Sequence, residues 1–394
     1  MTTTYAIIGA GIAGASVAYH LARRTDDRVV VFDQGDVASA TTARSVAQFG
    51  FYGDETQYRM KRYGMDLYNE FFADPRADPR YELAGLLTVA TTADGASELE
   101  AAVASGGDED LGKVPGTGID RDLVEYVPGD ELTESLLVPP LDESVVEGAL
   151  YRPKMGYMTR PAALAREFVA RAREAGAEFR LDTPVRDVET DDGRVTAVVA
   201  DERLAVEELV CAAGPWNVEL ARTVGVDLPV RHTLAPVLEL EPESPLEYSL
   251  PAVSHYEGPH AIHRRRADAV LVGHIPPDGY GRDQRFDPDD VGDEVPATLR
   301  DGMVDAVERF TPRFAGAPVV DEWVGVRSQT PDGNPVVGWT GVEGFSVAAF
   351  HTSGIQLSPA VGRVVTDQLL GDDPTGLYDA LSITRFDGYS DHRT

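Results

Sequence analysis

Residues 5–33 constrain this chain more than any other stretch. They read Tyr5-Ala-Ile-Ile-Gly9-Ala-Gly11-Ile12-Ala13-Gly14, then an alanine-rich segment to Arg24, then Arg28-Val-Val-Val-Phe-Asp33. The pattern predicts a short apolar strand, a glycine turn, a helix and a second strand ending in an acid. Gly9 permits the tight turn, Gly11 lets the backbone approach a pyrophosphate, and Gly14 lets the helix pack closely on the strand. The unpaired N–H groups of the first helical turn, at Ile12 and Ala13, and the positive end of the helix dipole suit a phosphate. Asp33 is placed to accept hydrogen bonds from the ribose hydroxyls of an adenosine half. The unit implies a bound dinucleotide and leaves FAD and NAD both open.

At 394 residues the chain is long enough for a substantial core and two or three domains' worth of structure. It has no uninterrupted apolar run of membrane-spanning length, and Met1-Thr-Thr-Thr leads straight into the first strand. It therefore reads as soluble, unprocessed and cytoplasmic, with no membrane span. Cys211 is the only cysteine, which excludes intrachain disulfides and cysteine-based metal sites and reads as a small buried hydrophobe on a strand. The 66 acids against 35 bases give a net charge of −31, and only Lys61, Lys113 and Lys154 are lysines. Such self-repulsion is screened in high salt, and the composition resembles that of halophilic proteins. An acidic surface also argues against nucleic acid as a partner. Acidic clusters such as Asp108-Glu-Asp110 and Asp289-Asp290 with Asp293-Glu294 read as solvated faces. No metal site is expected; the His255, His260 and His263 group beside Arg264-Arg-Arg266 fits no ligand spacing.

Residues 34–45, small and hydroxylated with Thr42 and Arg44, suit a loop approaching the ligand's far end, or a surface loop with Ser39 or Thr41 capping a helix. The apolar stripe from Tyr58 to Phe72 predicts a core-packed helix over 55–72. Residues 86–91 read as a strand and 97–105 as a short helix. Then the strand and helix grammar resumes at 146–152, with Thr159 as cap and Pro161 opening a helix that stops at Gly176. A hairpin is expected around Asp191-Asp-Gly193, and a strand over 204–213 leads to Gly214-Pro-Trp216.

These residues carry a resemblance. The opening unit, Met155-Gly-Tyr-Met-Thr-Arg-Pro161, Thr183-Pro-Val185, Ala212-Ala-Gly214-Pro-Trp216, Trp323-Val-Gly-Val-Arg327-Ser-Gln-Thr-Pro331-Asp332-Gly-Asn-Pro335 and Phe350-His351-Thr-Ser-Gly354-Ile355-Gln356 occur in this order. The order is similar to that of the FAD-dependent D-amino acid oxidase, glycine oxidase and sarcosine oxidase superfamily. The resemblance implies an α/β (α+β overall) fold: a discontinuous Rossmann-like FAD-binding domain of the glutathione-reductase type, with a second, mainly antiparallel-sheet substrate domain. Residues 1–84, 150–225 and 322–394 would form the first, and 85–149 and 226–321 the second. It implies FAD as cofactor, with Val185 meeting the adenine, Gly214 and Trp216 near the flavin, and Gly354, Ile355 and Gln356 on the pyrimidine side of the ring. No thiol or histidine stands where relatives attach the flavin, so noncovalent FAD is expected.

The implied chemistry is oxidation of the C–N bond of an amino acid or N-methylated amine by hydride transfer to the flavin, followed by imine hydrolysis. Arg327 is the candidate to hold the substrate carboxylate through its planar fork; the other reading is a salt bridge to one of the many acids. Arg44 is a second candidate. His274 ends a strand resembling one that carries an active-site histidine in sarcosine oxidases, and His351 falls in the flavin loop. The electron acceptor could be a quinone, an electron-transfer protein or O₂. With no lysine after Lys154 to stabilise superoxide-like charge, a dehydrogenase is favoured over an oxidase. Two alternatives stay open: a 2-hydroxy acid or glycerol-phosphate dehydrogenase, and an electron-relay subunit of a larger complex.

Overall fold

The computed structural model describes residues 3–50, 53–79, 81–104, 124–132, 142, 144–244, 251–266, 269–274, 287–372 and 374–387. The acidic cluster at 108–110 and Lys113 lie outside the described residues, as do the side chains of residues 263–266.

A six-stranded sheet carries the glycine turn. Its order is Val336–Trp339, Phe345–Ala349, Glu208–Cys211, Thr4–Ile8, Arg28–Phe32, Glu178–Arg180. The pairs are parallel except between the first two strands. Both faces of such a sheet must be covered, which explains strands as uniformly apolar as Val29-Val-Val31. On one face lie helices Ile12–Ala22, Glu55–Ala73, Pro161–Glu174 and Gly354–Leu369, joined in one core. On the other lies the antiparallel sheet Asp187–Asp191, Arg194–Val199, Arg203–Ala205. Helix Ile12–Ala22 is buried on every side, and its small residues permit close approach. A Cβ on Gly362 would come within 2.3 Å of Ser16 Oγ, and that hydroxyl donates to Ser358 O at 2.8 Å.

The aromatic stripe of Glu55–Ala73 is core: Met60, Leu67, Tyr68 and Phe71 are buried, and Tyr68 and Phe71 pack with Phe168. Cys211 ends its strand fully buried beside Asn217, and burial pushes its thiol up to about 12.

An eight-stranded sheet has the order Val319–Gln329, Arg231–Leu240, Ala269–His274, His260–Arg266, Ala252–His255, Leu86–Ala90, Gly148–Arg152, Glu125–Pro128. It is antiparallel except where Ala252–His255 meets Leu86–Ala90. Helix Ala297–Phe310 covers one face, packing on Val253, Ile262, Val270 and Val272. The expected boundaries at 150 and 322 fall inside two strands of this sheet. Among the described residues, no helix is long and apolar enough to cross a membrane.

Local expectations shift in two places. The helix expected over 97–105 spans Ala93–Ala104, because Thr92 Oγ1 accepts from Gly95 N at 3.0 Å and starts it earlier. The next expected helix is Pro161–Glu174 with Arg160, not Thr159, at its cap, since Pro161 occupies the first turn.

Candidate functional site

The glycine turn is over-determined by contacts. Gly9 has φ +107°, and a Cβ there would lie 2.4 Å from Ala212 O; one on Gly14 would lie 1.9 Å from Gly9 O. Gly11 differs. A Cβ there would meet only Thr42 Oγ1, at 3.4 Å, so the space in front of it is open. Gly11 is also the helix N-cap, with no side chain to cap with. The cap comes from far along the chain, as Ile12 N donates to Thr42 Oγ1 at 3.1 Å. This explains the hydroxyl-rich loop better than local capping, since residues 36–45 contain no helix. Asp33 ties the second strand to the turn: its carboxylate accepts from Ala10 N at 2.5 Å and Gly35 N at 2.8 Å. Burial raises the Asp33 pKa above the ordinary carboxylate value.

In front of this turn lies a cavity of about 990 Å³, at the upper end of the range for ligand sites. The turn contributes Gly9, Gly11, Ile12 and Ala13 to its lining, and the following loops Asp33, Thr42 and Arg44. Val185, Gly214 and Trp216 line it too, as do His351, Gly354, Ile355 and Gln356 of the last loop and Arg327 of the eight-stranded sheet. Gly14 does not, because its task is packing.

His274 does not line the cavity either. Side chains alternate along a strand, and His274 has the parity of Val270 and Val272, which pack under helix Ala297–Phe310. Leu271 faces the other way, onto Val237 and Trp323. Its neighbour His260, whose ring lies 5.3 Å from that of His274, does reach the cavity. No sequence pattern distinguished His260; it opens its strand directly after Gly258-Pro259, which line the cavity with it. Among the described residues, no three or more His, Cys, Asp or Glu side chains gather as a metal site.

The last loop presents a second helix end. Ser353 is left-handed at φ 58° and starts Gly354–Leu369. Tyr68 Oη donates to Ile355 O at 2.5 Å, and Gly64 lies so close that a Cβ there would be 2.4 Å from Gln356 O. Gln356 is buried; its Oε1 accepts from Gly50 N at 3.1 Å, while its Nε2 is a buried donor with no partner among the described residues. An unanswered donor in a cavity wall costs on the order of 1–3 kcal/mol until a ligand acceptor meets it. Two helix N-termini, the open face of Gly11 and this donor fit a long, anionic, multiply accepting group such as FAD.

Arg44 and Trp216 are held from the opposite half. Arg44 Nη2 pairs with Asp293 Oδ1 at 2.7 Å, Trp323 Nε1 donates to Arg44 O at 3.0 Å, and Trp216 Nε1 donates to Asp289 Oδ1 at 3.0 Å. Acids that read as a solvated face thus also anchor two lining residues. Arg327 sits opposite Thr233 in the sheet. Among the described residues, the lining contributed by that sheet includes no carboxylate and is mostly small, with Ala235, Val237, Ala261 and Gly325 in it. Of the described lysines, neither Lys61 nor Lys154 lines the cavity; Lys61 is buried in helix Glu55–Ala73, and burial lowers it to about 8.

Buried histidines set a pH limit. Burial, followed by Arg363, lowers His20 to about 3; burial, followed by His274, lowers His260 to about 4; burial, followed by Arg327, lowers His351 to about 4. In the unfolded chain each returns to about 6.5. Below that value the unfolded state binds protons that the folded state refuses, so the stability these groups contribute is present above about pH 6.5 and lost as pH falls toward 4. Thermal unfolding at fixed molar salt should show a falling Tm over that window, with part of the fall removed in His20→Gln. A flat Tm would contradict this.

Comparison with known proteins identifies the family and the fold. The family described as DAO, FAD dependent oxidoreductase, matches residues 4–368. The chain is 27% identical over 404 residues to 4-methylaminobutanoate oxidase (formaldehyde-forming) of Paenarthrobacter nicotinovorans, covering 98% of this chain and 46% of that protein. It therefore spans about half of that relative's length. It is 25% identical to glycine oxidase of Bacillus licheniformis, covering 93% of this chain and 92% of that one. The crystal structure of glycine oxidase from Geobacillus kaustophilus superposes with a TM-score of 0.79 at 25% identity, covering 98% and 99% of the two chains.

Proposed function

The chain belongs to the DAO family of FAD-dependent oxidoreductases, and we propose that it oxidises the C–N bond of a carboxylated amino acid or N-methylated amine. One observation carries this reading: among the described residues, the sheet wall of the cavity includes Arg327 and no carboxylate. Arginine pairs bidentately with a carboxylate and fixes its orientation. The described residues of that wall give a substrate ammonium no counter-charge, which supports a substrate nitrogen bound neutral with its lone pair available. When bound, FAD supplies the hydride acceptor. The small residues Ala235, Ala261 and Gly325 leave room above it and present no hydrogen-bond donors of their own side chains. The imine then leaves for water.

In this reading Gly9, Gly11, Ile12, Ala13 and Thr42 surround the pyrophosphate, Asp33 and Val185 take the adenosine half, and Gly354, Ile355 and Gln356 face the ring; Gly14 supports them by packing. The eight-stranded sheet forms the substrate side and the six-stranded sheet the cofactor side. FAD is held noncovalently. The acidic surface supports work in a salt-rich cytoplasm. No lysine lines the cavity among the described residues, which favours a quinone or an electron-transfer protein over O₂ as acceptor. Stopped-flow reoxidation in molar salt tests this: the substrate-reduced enzyme should reoxidise slowly in air and quickly with a quinone. Reoxidation by O₂ faster than flavin reduction, with peroxide released each turnover, would make it an oxidase.

A further inference from the structure

We propose that His351 is a specificity-determining residue: a neutral imidazole whose Nε2–H donates, beside Arg327, to the carboxylate of the substrate. The proposal rests on the preceding reading of Arg327 and adds a second donor that the family match does not assign.

The backbone fixes the tautomer. Thr330 N donates to His351 Nδ1 at 2.9 Å, and a backbone N–H can only donate, so Nδ1 must carry the lone pair. The Thr330 hydroxyl, 3.3 Å from the same nitrogen, is committed as donor to Asn334 O at 2.8 Å. The ring proton therefore resides on Nε2. That nitrogen has no protein partner among the described hydrogen bonds, and His351 lines the cavity, so the N–H is offered to a ligand. Protonating Nδ1 would set two donors against each other, which keeps the ring neutral. The charged groups facing it act in opposite directions: Arg327 on its strand opposes protonation, while Asp332 favours it. Asp332 is itself held by Arg385 at 2.7 Å.

A guanidinium with a neutral N–H donor nearby suits an acceptor with two oxygens and a negative charge. A neutral amide of the same shape answers only one donor well. The pair thus selects carboxylated amines over their decarboxylated counterparts, and does so without a histidine titration near neutrality.

The test uses the flavin-loaded protein in molar potassium chloride, with acetate and acetamide as probes followed by perturbation of the flavin absorption band. Wild type should bind acetate more tightly than acetamide. His351→Asn keeps an acceptor for Thr330 N–H and removes the Nε2 donor, and should bind acetate about tenfold more weakly or worse, as expected for a lost hydrogen bond to a charged group. Its acetamide binding and FAD retention should change little. Wild-type acetate affinity in His351→Asn, with affinity lost in Arg327→Ala, would overturn this proposal alone. Undiminished acetate binding in Arg327→Ala would overturn both it and the reading it rests on. If His351→Asn loses FAD, His351→Gln, which keeps a donor near the Nε2 position, carries the test. Acetate affinity within about threefold of wild type supports the proposal, because one hydrogen bond is then conserved. A loss like that predicted for Asn overturns it.

Discussion

Gly11→Ala is expected to give a folded protein without flavin, and Gly14→Ala a protein of clearly lowered Tm. The two glycines stand three residues apart in one motif, but their missing side chains face different things. At Gly14 the added methyl would lie 1.9 Å from a backbone carbonyl of the same turn. The helix must then move off the strand, and overpacking of this kind costs about 1–3 kcal/mol or more against a total stability of roughly 5–15 kcal/mol. At Gly11 the methyl finds only Thr42 Oγ1, at 3.4 Å, and otherwise enters the cavity. Its protein neighbours tolerate it, and a pyrophosphate does not. Far-ultraviolet circular dichroism and bound-flavin absorbance separate the outcomes: Gly11→Ala should keep the first and lose the second. A yellow, stoichiometrically loaded Gly11→Ala protein would mean that the dinucleotide does not pass in front of this turn.

The second large effect belongs to Arg327. Arg327→Ala should raise KM for a carboxylated substrate by about two orders of magnitude or more while FAD is retained, because losing one partner of a desolvated charge pair costs about 2–5 kcal/mol. Arg327→Lys should recover only part, since an ammonium lacks the planar fork. Steady-state kinetics on dimethylglycine and trimethylamine, which differ by the carboxylate, check the assignment. The substitution should penalise the first far more than the second. Equal penalties, or none, would return Arg327 to a structural ion pair.

What was legible in the sequence was what is local. The strand, glycine turn, helix and acid of residues 5–33 lie within one stretch, and each residue's task follows from its neighbours. The core helix Glu55–Ala73 announced itself by period, and the loop before Gly354–Leu369 by its place in an ordered set of motifs. What was not legible depends on partners distant in sequence. Thr42 caps a helix that begins at Ile12, and nothing in its own loop says so. Arg44 is gripped by Asp293, far along the chain. His274 ends an apolar strand as an active-site histidine would, yet which face a strand turns to a ligand is decided by the helix laid against the other face. His260, its register partner on the next strand, shares that face and lines the cavity only because it opens its strand beside Gly258-Pro259. His351 stood in the right loop, but its tautomer was readable only once Thr330 N was found 2.9 Å from Nδ1.

Anaerobic mixing of the purified yellow protein, in molar salt, with glycine, dimethylglycine, 4-methylaminobutanoate, lactate and glycerol 3-phosphate in turn tests the central claim most directly. The account predicts that at least one carboxylated amine bleaches the flavin band within the time of mixing and yields the imine-derived carbonyl product, while the hydroxy compounds leave it oxidised. Bleaching by lactate or glycerol 3-phosphate alone would contradict it, as would a flavin that no amine reduces.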